Sequence, residues 1–126
     1  MEVFVSLSVT SSQMSSAEIG ASIGEQCDRC WAAGDVREKT IIKEKKNGWS
    51  IVCHSESVDD IQLPINDLFR RIHGDEGKIA ALTSCCEILV RCAVYSNDVP
   101  PLYLDNNTLH KLAGIKASFD IDLYFI

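Results

Sequence analysis

From Cys85 to Tyr95 the chain reads CCEILVRCAVY. Cys86, Ile88, Val90, Cys92 and Val94 are apolar at every second position, and the intervening Cys85, Glu87, Leu89, Arg91, Ala93 and Tyr95 are mixed. Successive side chains of a strand point to opposite faces, so this period of two predicts a strand with one buried face. Such a strand is stable only inside a sheet that something covers on one side. Two other stretches obey the same rule. Val3, Val5, Leu7 and Val9 alternate with Glu2, Phe4, Ser6, Ser8 and Thr10; Phe119, Ile121, Leu123 and Phe125 alternate with Asp120, Asp122 and Tyr124.

Helices fall between these strands. Ser15 or Ser16 can cap a first helix, with Glu18 in its first turn, Ile19 and Ile23 on one face and Gly24 as its stop. Ile61, Ile65, Leu68, Phe69 and Ile72 form one apolar stripe over Val58–Ile72, and Pro64 places the true start near Leu63. A shorter helix over Glu76–Ser84 follows. Asp105 or Asn106 can cap a last small helix carrying Leu109 and Leu112 and closed by Gly114. Cys27–Asp35 reads as an irregular segment. Beyond it, Arg37–Lys45 and Trp49–Ser55 suggest a hairpin around Asn47-Gly48, a strong two-residue turn signal. Lys43, Lys45 and Lys46 would then sit at the hairpin tip, guarding an edge. The order is β-α-β-β-α-β with an added short helix and C-terminal strand. That predicts an α+β, ferredoxin-like antiparallel sheet in a single domain, residues 1–126.

Bulk properties exclude more than they assign. With 12 basic and 18 acidic residues, the net charge of −6 argues against nucleic-acid binding and suits a basic protein partner. No segment supplies the roughly 20 consecutive apolar residues of a membrane span. The first residues carry Glu2 and no basic leader, so they read as a strand and not a signal peptide. The cytosol is the expected compartment, with the six cysteines as reduced thiols.

The chemistry-bearing residues do not assemble into a known motif. Cys27-x-x-Cys30 lacks the second pair of a zinc ribbon, because Cys53-His54 and Cys85-Cys86 are adjacent pairs whose side chains diverge. It also follows a helix where a redox motif would open one. His54, His73 and His110 are scattered, and there is no nucleophile elbow or phosphate loop. The expectation is no metal, no cofactor and no catalytic residue. Asp120 and Asp122 share a face at about 7 Å, a spacing that permits acid–base work but equally an ion pair with Arg91.

Two main helices cannot cover both faces of five strands. If the uniform faces turn inward, the uncovered face holds Phe4, Ser6, Glu87, Leu89, Arg91, Tyr95, Asp120, Asp122 and Tyr124, and an exposed Trp31 in its loop would be a good anchor. Of these, Glu87, Arg91, Tyr95, Asp120, Asp122 and Tyr124, with Trp31, are the seven predicted partner-binding residues.

Several short segments carry a resemblance. Ser16-Ala17-Glu18-Ile19 leading to Ile23-Gly24, then Trp31-Ala32-Ala33-Gly34-Asp35, Gly48-Trp49 and Phe119-Asp120-Ile121-Asp122-Leu123-Tyr124 occur in one order. This resembles the small bacterial family known as domain of unknown function 4279, over most of the chain. Cys27 and Cys30 are not part of that pattern. The resemblance implies no reaction. Small acidic bacterial proteins of this kind are similar to immunity proteins, which implies a cytosolic, non-enzymatic module that occludes a cognate, basic protein toxin. The alternative is a small enzyme or ligand-binding domain using the Asp120/Asp122 face or the cysteines.

Overall fold

The alternation along the first strand separates cleanly in three dimensions. In the computed structural model, which describes residues 1–126, β1 (Glu2–Ser11) buries Val3, Val5, Leu7 and Val9 completely and leaves Glu2, Phe4, Ser6, Ser8 and Thr10 partly open. It is followed by α1 (Ser16–Ile23), β2 (Arg29–Trp31), β3 (Asn47–Ser55), α2 (Gln62–Arg71), α3 (Glu76–Ala81), β4 (Glu87–Ser96), α4 (Asn106–Gly114) and β5 (Ser118–Phe125). A 3-10 turn, Leu82–Ser84, joins α3 to β4.

The helix ends are set by local chemistry. Ser15 caps α1 through a reciprocal box: the Glu18 N–H donates to Ser15 Oγ, and the Ser15 N–H donates to Glu18 Oε1, both at 3.1 Å. These bonds hold the Glu18 carboxyl below its ordinary range. Gly24 closes the helix at φ +82°, in the left-handed region that costs glycine little. The α2 helix starts at Gln62, so Pro64 lies in the first turn and breaks no helical hydrogen bond. In α4, Asp105 accepts the Thr108 N–H at 2.8 Å. Thr108, not Leu109, is the residue buried there alongside Leu112.

The five strands lie in the order β2-β3-β1-β4-β5. Neighbours are antiparallel from β2 to β4, but β5 runs parallel to β4, with Arg91 opposite Asp120 and Tyr95 opposite Tyr124. The sheet is therefore mixed, which corrects the expectation of an antiparallel one. Parallel neighbours need a long crossover, and the segment carrying α4 returns the chain to the start of β4 before β5 begins. The architecture is α+β, four helices on a five-strand mixed sheet.

The hairpin expected at Asn47-Gly48 does not form. Those residues open β3, whose outer partner is the three-residue β2, and Val36 meets Lys43 in a single isolated bridge. Asn47 spends its amide on tertiary backbone instead: Nδ2 donates to the Met14 carbonyl at 3.0 Å, and Oδ1 accepts the Ala33 N–H at 2.9 Å. Gly48 is required for a steric reason. A Cβ there would lie 2.0 Å from the Trp31 indole, so only glycine lets the ring rest on the β3 backbone.

The helices bury Ile19, Ile23, Ile65, Leu68, Phe69, Ile79 and Leu112 in one core with Trp49, Ile51, Ile88, Val90, Cys92 and Val94 of the sheet. The buried Trp49 N–H is satisfied by the Glu25 carbonyl at 3.2 Å. No helix is long and apolar enough to cross a membrane.

Candidate functional site

The helices leave the opposite face of the sheet uncovered, and the ladder register determines which side chains meet there. Three cross-strand rows matter. Thr10 aligns with Gly48 and Glu87, with Trp31 beyond Gly48; Ser6 aligns with Val52 and Arg91, with Asp120 beyond Arg91; Glu2 aligns with Tyr95, with Tyr124 beyond it.

The middle and far rows draw together five of the seven residues singled out from the sequence. Arg91 Nε lies 3.6 Å from Asp120 Oδ2 and 3.4 Å from Asp122 Oδ2, one cation between two carboxylates on the neighbouring strand. Tyr95 and Tyr124 stack with ring centroids 4.7 Å apart. Phe4 meets Tyr95 edge-on at 5.9 Å and carries the His54 ring stacked on it at 4.3 Å. His54 Nε2 in turn lies 2.7 Å from Glu2 Oε2. The result is an aromatic run across β3, β1, β4 and β5, fringed by acids.

Glu87 and Trp31 do not join this group. Glu87 pairs with Lys46 at 3.0 Å, and Trp31 lies over Gly48 with the Arg29 guanidinium 4.7 Å from its ring. They occupy the other end of the face, about 26 Å away along β4 at a strand's rise per residue. Lys46 thus supports this face from the start of β3 and is not at a hairpin tip. Phe4, which parity places on this face, was not among the seven contact candidates, and neither were Glu2 and His54, although the same parity could have found Glu2. Phe4 and Glu2 share the side of β1 opposite Val3, and His54 lies opposite Phe4 in the ladder.

The paired geometry bears on chemistry. Asp120 and Asp122 both face the Arg91 guanidinium, an arrangement that forms an ion-pair cluster across the two strands. A second ion pair borders the sheet at β2: Asp28 Oδ2 accepts from Arg71 Nη1 at 2.7 Å and from the Val52 N–H at 2.8 Å. The Arg71 hydrogen bond, aided by the Val52 N–H, holds the Asp28 carboxyl below its ordinary range.

The cysteines correct another expectation. Cys27 and Cys30 are joined in a disulfide, not held as separate thiols, because the bend entering β2 brings their Cα atoms to 6.1 Å. Cys53, Cys85, Cys86 and Cys92 are free. Burial pushes the Cys92 thiol up to about 11, so it is a core side chain and not a nucleophile.

On the helical side, α2, α3 and α4 enclose an open cleft of about 790 Å³. Its floor is Phe69 and Ile115, and Asn66, Arg70, His73 and Lys111 are among its walls. Lys111 Nζ donates to Asn66 Oδ1 at 3.0 Å, and Arg70 is paired with Asp67.

Comparison with known proteins adds a family and no activity. The family model described as "Domain of unknown function (DUF4279)" matches residues 1–126. No curated protein and no solved structure shows a significant match.

Proposed function

The chain belongs to the DUF4279 family, whose description assigns no function, and from that premise we propose that it is a non-enzymatic protein-binding module. Its most concrete form is a cytosolic immunity protein that neutralises a cognate, basic bacterial toxin by occluding it. One observation carries this reading: the uncovered sheet face presents a continuous Phe4, Tyr95 and Tyr124 aromatic run beside Asp120 and Asp122. Aromatic anchors flanked by charge are the composition of interface hot spots. An acidic chain, at net −6, gains association rate toward a basic partner. We also carry the ferredoxin-like description of the first six elements as part of the proposal, supported by the antiparallel order β2-β3-β1-β4.

The test is a protection assay. The chain is co-expressed with the toxin-like product of the neighbouring reading frame, and survival is scored for wild type and for Tyr95→Ala with Tyr124→Ala. Loss of protection by a folded double variant supports the reading. Full protection by that variant, or no toxin-like frame beside the gene, overturns it.

A second reading, a small-ligand domain, is favoured by the cleft between α2, α3 and α4. Its apolar floor, with Lys111 free of any carboxylate on one wall and Glu76 among the other lining residues, suits a small organic anion that approaches from the Lys111 side. A thermal-shift series with phenyl phosphate and benzoate tests it. A rise in melting temperature that Lys111→Met abolishes favours this reading over the first.

A further inference from the structure

One cluster on the open face is unexplained by partner binding. Phe4 lies opposite His54 and Val3 opposite Ser55 in the β1–β3 ladder. Continued by one residue, that register brings Glu56 alongside Glu2. A ligand atom from each of Glu2, His54 and Glu56 falls within 4.8 Å of the others. Like charges directly opposite on neighbouring strands weaken a sheet, so a cation held between the two carboxylates would relieve that repulsion. No lysine or arginine supplies it: Glu2 has an ion-pair distance only to His54, and Glu56 has none. The amino terminus is engaged elsewhere, donating to the Val58 carbonyl at 3.1 Å.

We propose that Glu2, His54 and Glu56 bind one divalent transition-metal ion of the Mn²⁺ and Zn²⁺ class. Carboxylate oxygens alone would suit calcium or magnesium, and the imidazole nitrogen moves the preference toward transition metals. Two of the donors, Glu2 and His54, stand on hydrogen-bonded strands, which hold them more firmly than loops do, and Glu56 follows directly on the end of β3. The His54 ring is further fixed by its stack on Phe4 at 4.3 Å. Donors around an ion at about 2.1 Å sit roughly 3–4 Å apart, so small side-chain rotations complete the set. Cys53 is no competitor, because its side chain belongs to the core face. Three protein donors leave positions on the ion open to water. The inference is independent of the toxin reading, since it concerns one corner of the face and needs no protein partner.

Manganese is the better probe, because the partly open Cys53 and Cys85 thiols would compete for zinc away from this site. Mn²⁺ is titrated into the full chain and followed by loss of the free-ion electron paramagnetic resonance signal, with two-dimensional NMR to locate the ion. The expected result is one Mn²⁺ per chain, with paramagnetic broadening centred on Glu2, Phe4 and His54. His54→Gln and Glu56→Gln should each weaken binding at least tenfold, and Asp120→Asn should leave it unchanged. Glu56 is exposed, so its substitution reports on binding in a folded chain. Wild-type affinity in both variants, broadening centred on Asp120 and Asp122, or no binding at millimolar Mn²⁺ overturns the proposal.

Discussion

The two faces of the sheet are made by the same strands and obey different physics. On the covered face Val3, Val5, Leu7 and Val9 have no exposed surface, and their contribution is removal of apolar area from water. On the open face the same strand supplies Glu2, Phe4, Ser6, Ser8 and Thr10, whose neighbours are rings and ion pairs reachable by solvent. Exposed pairs of this sort contribute at most about 1 kcal/mol each, screened by salt. One face therefore holds the fold together, and the other can vary or bind with little effect on it.

Four tests sharpen or break that contrast. The largest effect is expected for Leu7→Ala, which empties a completely buried site and should cost about 2–5 kcal/mol in urea unfolding. Ser6→Ala, one residue away on the other face, should stay within about 0.5 kcal/mol. Equal effects would erase the distinction between the faces.

Next comes Gly48→Ala, where the open face behaves like a core. The added Cβ meets the Trp31 indole at 2.0 Å, and displacing that ring should cost about 1–3 kcal/mol. Trp31→Ala in the same chain should recover most of it, so the pair will be strongly non-additive. Tryptophan fluorescence and denaturation of the four-member cycle check this.

The Cys27–Cys30 bridge closes a very short loop. Replacing both cysteines by serine should cost no more than about 2 kcal/mol by the loop-entropy relation. Unfolding of wild type with and without reductant should show the same small difference.

The smallest effect is expected at the Asp28–Arg71 pair. The Asp28 folded pKa lies below its ordinary value of 3.8, so the folded state binds fewer protons than the unfolded one there. Stability from the pair is present above that ordinary value and is lost as pH falls through the lower, folded pKa. Asp28→Asn should therefore flatten the acid limb of the stability profile below about pH 4, with its small loss of stability fully present at neutral pH, reduced by salt and vanishing in acid. An unchanged acid limb would show the pair to be inert. Arg91, Asp120 and Asp122, on the uncovered face, should show their substitutions in partner binding and not in unfolding.

The corrections and the confirmed elements follow a single division. Alternation in Val3–Val9 and Ile88–Val94, the Ser15–Glu18 box and the Ile61–Ile72 stripe are local signals, and strands, helices and the covered face were legible from them. The same alternation located β5 but not its burial, because Phe119 and Ile121 only lean on the core and Leu123 and Phe125 stay exposed at the sheet edge. The same parity placed Arg91, Tyr95, Asp120, Asp122 and Tyr124 on the open face, because strand periodicity fixes a side without knowing the neighbour. Neighbours are a tertiary matter. Nothing in Asn47-Gly48 by itself tells a hairpin turn from the start of a strand that must fit under Trp31, since a missing side chain serves both. The direction of β5 depended on where α4 docks, and the Cys27–Cys30 bridge on a bend only the folded chain makes. His54 read as one of three scattered histidines until the ladder set it over Phe4 and beside Glu2. The sequence by itself determined which faces are oily and where elements begin, because those depend on residues a few places apart. Only the tertiary structure decided strand order, direction and the membership of the open-face clusters, because those depend on pairings between residues far apart in the chain, which local periodicity does not encode.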